Sequence, residues 1–132
     1  MIPTATILYA GLLGLIMLAL AINVSRARTA LQVQLGDGGN PKMLQAIRMH
    51  ASFCEYVPLC LILILLIEMA RGPRPLVHAL GIVLVVARLL HAQGINQSPG
   101  RSFGRGAGAG LTYLVLAVSA CACTYYGIVW QT

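Results

Sequence analysis

Arg48, Ser52 and Glu55 recur at helical spacing in a chain that is otherwise poor in charge. At about 100° per residue the three fall within about 60° of one another on one helix face, with Tyr56 at its edge and His50 pointing nearly the opposite way. Arg88, His91 and Ile95 share a face further along, and Arg105, Gly108 and Thr112 share another. Guanidinium groups hold carboxylates through paired, parallel hydrogen bonds, so stripes of this kind suit recognition of a small anion. A terminal arginine taken singly can instead snorkel to lipid phosphates. Three stripes converging at one level make a shared site the stronger reading.

The elements that carry these residues follow from composition. Of 132 residues, 58% are hydrophobic and only 9% are Asp, Glu, Lys or Arg, against about 25% charged in soluble domains. That excludes a soluble enzyme and intrinsic disorder. The net charge of +6 on so apolar a chain suggests lipid head groups or anionic small substrates as partners. Two Phe and no basic run argue against nucleic acid. One domain over residues 1–132 is expected.

Four windows are long enough to cross the roughly 30 Å hydrocarbon core as helices. They cover residues 2–24, 42–69, 76–95 and 106–130, and predict an all-α integral membrane protein, a bundle of four transmembrane helices. Nothing basic precedes Arg26, so the first window reads as a retained span and not a cleaved leader. The connectors hold Gly36-Asp37-Gly38-Gly39, Arg71-Gly72-Pro73-Arg74-Pro75 and the Gly-, Pro- and Ser-rich stretch from Asn96 to Arg105. Loops one and three carry Arg26, Arg28, Lys42, Arg101 and Arg105, against Arg71 and Arg74 in loop two. The positive-inside rule then puts loops one and three in the cytoplasm and both termini on the outer side.

Ionisable groups at membrane depth need protein or water around them. Glu55 lies about 10 Å deeper than Arg48 along an ideal helix, and Arg88 about as deep from its own end. The expectation is a buried Glu55–Arg88 pair tying helices two and three, with Arg48 and Arg105 left for a ligand. Cys54, Cys60, Cys121 and Cys123 fall inside spans at spacings that suit neither a disulfide within one helix nor a metal site, and read as buried small hydrophobes. Gly100, Gly104 and Gly108, like Gly106 and Gly110, recur every four residues and suit close helix approach, while Gly100 and Gly104 fit a loop equally well. Tyr9, Tyr125, Tyr126, Trp130 and His78 read as interfacial anchors.

The run Arg48-Met-His-Ala-Ser-Phe-Cys-Glu55-Tyr56-Val-Pro58 resembles the second-helix signature of the MAPEG proteins, the membrane-associated proteins of eicosanoid and glutathione metabolism. Many members read Arg-x-x-x-Asn-x-x-Glu-Tyr-x-Pro there. Ala87-Arg88-Leu-Leu-His91-Ala-Gln93-Gly94 and the Arg105, Gly108, Thr112 spacing extend the likeness over nearly the whole chain, which is similar to the small bacterial members. The resemblance implies a homotrimer that binds glutathione as cosubstrate between subunits near the cytoplasmic surface of the bacterial inner membrane. It assigns glutathione contacts to Arg48, His50, Ser52, Glu55, Tyr56 and His91, and to Arg26 or Arg28 reaching in from a neighbour. Arg105, with Arg101 as its rival, would hold the thiolate. Ser52 stands where the family usually has Asn, and Ile95 where several members have Tyr.

The expected function is a glutathione-dependent transferase or peroxidase acting on lipophilic electrophiles that arrive from the bilayer. The alternatives are a non-catalytic lipid-binding or scaffold protein on the same fold and a small multidrug transporter. The transporter reading is disfavoured, because such proteins place a Glu in their first helix and this first span has no ionisable group.

Overall fold

The computed structural model describes residues 2–93 and 103–130. They form four helices, α1 (Thr4–Leu31), α2 (Pro41–Met69), α3 (Arg74–Gln93) and α4 (Phe103–Val129), and no strand among the described residues. Each is long and apolar enough to cross a membrane. The architecture is the all-α membrane bundle expected. Helix α2 packs against the other three, as does α3, while α1 and α4 flank this central pair on opposite sides.

Helix α1 runs seven residues beyond the expected end at Val24. Loss of hydropathy marks where a chain leaves lipid, and a helix with Arg26 and Arg28 on its last turns continues into the polar zone without penalty. It stops at Gln32, whose left-handed backbone (φ 54°) returns its N–H to Arg28 and Thr29 carbonyls. Gly36, Gly38 and Gly39 all take positive φ in the turn that follows, which explains the glycine cluster. The turn delivers Asn40, whose Oδ1 accepts the Lys42 and Met43 N–H groups at 2.9 and 3.3 Å, and Pro41 opens α2.

The core is a column of Leu13 and Leu20 from α1, Phe53, Val57, Cys60, Ile64 and Ile67 from α2, Leu84 from α3 and Val115 from α4. Leu15, Leu18, Ile62, Leu66, Ile82 and Leu114 point outward, as apolar solvent around the bundle requires. Of the spaced glycines, Gly108 makes the close approach: a Cβ there would lie 2.5 Å from the Ala87 carbonyl oxygen of α3. Gly106 and Gly110 face open space, and Gly100 lies outside the described residues. The four cysteines are free thiols and only Cys60 is buried; Cys54 and Cys121 are exposed, and Cys123 donates to the Leu63 carbonyl at 3.3 Å.

At the end holding the α2 C-terminus, Glu68 closes the start of α1. Its carboxylate accepts the Ala5 and Thr6 N–H groups at 3.0 and 2.8 Å and the Thr6 hydroxyl at 2.6 Å. Pro3 offers that helix no side-chain cap of its own, so an anion from α2 satisfies the orphan donors and meets the positive end of the helix dipole. Nearby, the Tyr9 hydroxyl and His78 Nδ1 lie 2.8 Å apart, and the Tyr9 ring rests directly on Gly81, tying α1 to α3. Tyr9 is therefore a core residue, 5% exposed, and not an interfacial anchor.

Candidate functional site

The alternation of the helices brings the α1 C-terminus, the α2 N-terminus, the α3 C-terminus and the α4 N-terminus to one end of the bundle. Arg26, Arg28, Arg48, His91 and Arg105 therefore share that end. Helix α2 buries Met49, Phe53, Val57 and Cys60, which turns Arg48 and Glu55 away from the core. Arg48 Nη1 lies 3.7 Å from Glu55 Oε1, and their side chains are 62% and 50% exposed. A charged pair two turns apart, facing outward at this depth, is an open half of a polar surface.

The expected Glu55–Arg88 tie is not formed. Arg88 is 2% exposed and reaches α2 one turn short of Glu55: its Nη1 donates to Ser52 Oγ at 3.3 Å and its Nη2 to the Ser52 carbonyl oxygen at 3.1 Å. Its guanidinium carbon also lies 5.6 Å from the Phe53 ring centre and 5.9 Å from that of Tyr56. Depth alone suggested Glu55, but the angle around α2 decides: Ser52 stands on the flank nearer the core, and Glu55 on the far side. Neutral acceptors and aromatic faces hold the buried cation in place of a carboxylate. Its Nε is buried without a hydrogen-bond partner.

Tyr56 completes this flank, its ring edge-on to Tyr113 of α4 with centres 5.4 Å apart. Tyr113, which sequence reasoning passed over, is half exposed at 52% and extends the polar surface from α2 onto α4. On α3, His91 Nδ1 donates to the Arg105 carbonyl oxygen at 3.3 Å, so the two stripes expected to converge do meet. Gly108, one turn on, lets α4 approach the α3 backbone closely enough for that contact.

The remaining residues stand apart within the protomer. His50 lies on the other flank of α2, where its ring meets Cys54 Sγ at 3.9 Å. Arg28 is occupied by its own connector, Nη1 donating to Gly36 O at 2.9 Å and, more weakly, to Val33 O and Gln34 O. Arg26 is exposed on α1, bordering an open hollow of about 390 Å³ with Ser25, Thr29 and Ala30. Ile95 and Arg101 lie outside the described residues. The arrangement thus offers Arg48, Ser52, Glu55 and Tyr56 on α2, Tyr113 on α4, and the start of α4 beside His91.

The model of the MAPEG family matches residues 6–125 of the chain. The inner membrane protein YecN of Escherichia coli strain K12 is 38% identical over 89 residues, covering 67% of this chain and 68% of that protein. YecN of Escherichia coli O6:H1 strain CFT073 matches over the same lengths and at the same identity.

Proposed function

The chain belongs to the MAPEG family, and from that premise we propose that it is a glutathione-dependent transferase or peroxidase acting on lipophilic electrophiles. The observation that carries the reading is the outward face of α2. There an exposed Arg48–Glu55 pair, the Ser52 hydroxyl and Tyr56 stand together on a helix built to cross a membrane. Glutathione has two carboxylates, an ammonium and a thiol. Arg48 supplies a bidentate partner for a carboxylate, Glu55 an acceptor for the ammonium, and Ser52 and Tyr56 hydroxyls for the peptide groups.

The face is open in one protomer, and a second copy covering it would enclose the ligand and exclude lipid. We take the assembly to be a homotrimer, in which Arg26 of one subunit reaches the face of the next. Arg105 is the catalytic residue: it stands on the first turn of α4, where guanidinium and helix dipole both favour a thiolate. The thiolate attacks an electrophile entering laterally from the bilayer and displaces its leaving group to give a conjugate, or attacks the O–O bond of a lipid hydroperoxide, which takes up a proton and leaves as the alcohol while a second glutathione converts the sulfenic acid so formed to the disulfide and water. We place the protein in the bacterial inner membrane with both termini periplasmic, the arginine-rich end facing the cytoplasm.

The test is conjugation of glutathione to a generic aryl halide by the detergent-purified protein. Product formation above the uncatalysed rate, lost in Arg48→Ala, supports the enzyme. Glutathione binding without product would favour a non-catalytic binder on the same fold.

A further inference from the structure

At the end of the bundle opposite Arg105, α2 and α4 leave a hollow of about 280 Å³ between them. Leu66, Ile67, Ala70, Tyr126 and Trp130 line it, and the thiol of Cys123, which also borders it, is spent on the Leu63 carbonyl at 3.3 Å. The walls are therefore apolar, and they open toward lipid: Leu66 is 50% and Trp130 67% exposed. Trp130 and Arg105 stand at opposite ends of α4, about 37 Å apart along an ideal helix, so a molecule seated here cannot be the one that meets the thiolate.

The mouth of the hollow is cationic. Ala70 leads directly into Arg71 and Arg74, both exposed, and neither side chain has a hydrogen bond or ion pair among the described residues. Glu68, the acid that precedes them, has its carboxylate committed to the start of α1, and α3 opens at Arg74 with no acidic residue in its first turn. Arg71 takes φ 57°, a left-handed position that favours glycine, although Gly72 follows immediately. The N–H groups of Ala70, Arg71 and Gly72 are spent on the carbonyls of Leu66, Glu68 and Ile67, so side-chain charge is what this connector has to offer. A Cβ on Gly72 would lie 3.3 Å from the Tyr126 hydroxyl, which joins the connector to the wall of the hollow.

We propose that this end of the protein binds an anionic phospholipid, with an acyl chain seated between α2 and α4 and the phosphate held by Arg71 and Arg74. Guanidinium groups match phosphate oxygens in paired hydrogen bonds, and basic side chains beside a span attract anionic head groups. Tyr125 and Tyr126, edge-on with ring centres 5.6 Å apart, and Trp130 supply the amphipathic rings that suit head-group level. A neutral apolar molecule would leave both arginines unmatched. A helix of a second copy, about 10 Å across with its side chains, is too broad for the hollow. The inference is independent of the glutathione reading, which concerns the other end of the bundle.

Trp130 is the single tryptophan of the chain and lines the hollow, so its fluorescence reports what sits there. The full chain is reconstituted in phosphatidylcholine vesicles carrying increasing fractions of phosphatidylglycerol brominated on its acyl chains, or of phosphatidylcholine brominated in the same way. Half-quenching should need about tenfold less of the anionic lipid, as two arginines on one head group would give. Arg71→Asn combined with Arg74→Gln, the first suited to left-handed backbone, should bring the two lipids within about twofold of each other. Gly127→Leu, whose added Cβ meets nothing within 4 Å, fills the hollow while keeping both arginines, and should also abolish the preference. Glycerol phosphate, a head group without chains, should not relieve the quenching. Thermal unfolding identifies any variant that has lost its fold; if Gly127→Leu unfolds, the glycerol phosphate arm tests the seated chain and the arginine variant the phosphate contact. Equal quenching by the two lipids in the wild-type chain, or none by either because another copy covers Trp130, would overturn the proposal. A preference that persists in Gly127→Leu, or relief by glycerol phosphate, would reduce the site to general attraction at a cationic surface and overturn the seated chain. A preference that survives loss of both arginines would overturn the phosphate contact.

Discussion

Arg88 of α3 meets Ser52 of α2 through both of its terminal nitrogens, at 3.3 Å to the hydroxyl and 3.1 Å to the carbonyl oxygen. That contact divides the charges of the bundle into two kinds. Arg88 is an interior cation held by neutral groups, whereas Arg48 and Glu55 form an outward pair open to whatever covers α2. The division produces different expectations for residues only one turn apart.

Glu55→Gln should change stability by no more than about 1 kcal/mol, because the pair it breaks is half exposed and 3.7 Å long. Thermal unfolding in detergent checks this. A large destabilisation would mean that Glu55 supports the bundle from within, as a buried partner of Arg88 would.

Gly108→Ala should weaken the α3–α4 contact by about 1–3 kcal/mol, since the added methyl would meet the Ala87 carbonyl oxygen at 2.5 Å and the His91 backbone nitrogen at 2.9 Å. Gly106→Ala and Gly110→Ala, with open space around both, should be neutral or slightly stabilising. Equal unfolding midpoints for all three variants would contradict the assigned packing. Because the same contact sets His91 against Arg105, Gly108→Ala should also impair any thiolate signal.

Glu68→Ala should cost about 1–3 kcal/mol by leaving the first turn of α1 without its acceptor, and Glu68→Gln less, since an amide oxygen still accepts. Amide hydrogen exchange localises the effect: protection at Ala5 and Thr6 should fall in Glu68→Ala while that of α3 is kept. Uniform loss of protection would argue for a global role.

How far the sequence carried these features depends on how local their causes are. The four spans, the shared face of Arg48, Ser52 and Glu55, and the meeting of the His91 and Arg105 stripes were legible, because length, hydropathy and helical period determine them. The partner of Arg88 was not. Equal depth allowed Glu55, and choosing Ser52 needed the rotation of α2 about its axis, which its packing against three neighbours fixes. Glu68 gave no signal either: it meets Thr6 across 62 positions, and nothing near Pro3 announces that α1 needs a cap from elsewhere. The overrun of α1 to Leu31 escaped because hydropathy reports the edge of lipid and not the end of a helix.

The central claim, a site that binds glutathione and ionises its thiol, is tested most directly by titrating glutathione into the detergent-purified protein while following thiolate absorbance in the ultraviolet. Arg105→Ala and Arg101→Ala are the paired controls. The expected result is a saturable signal that Arg105→Ala abolishes, with assembly unchanged, and that Arg101→Ala leaves in place. No saturable signal in the wild-type chain, or one untouched by Arg105→Ala, would contradict it.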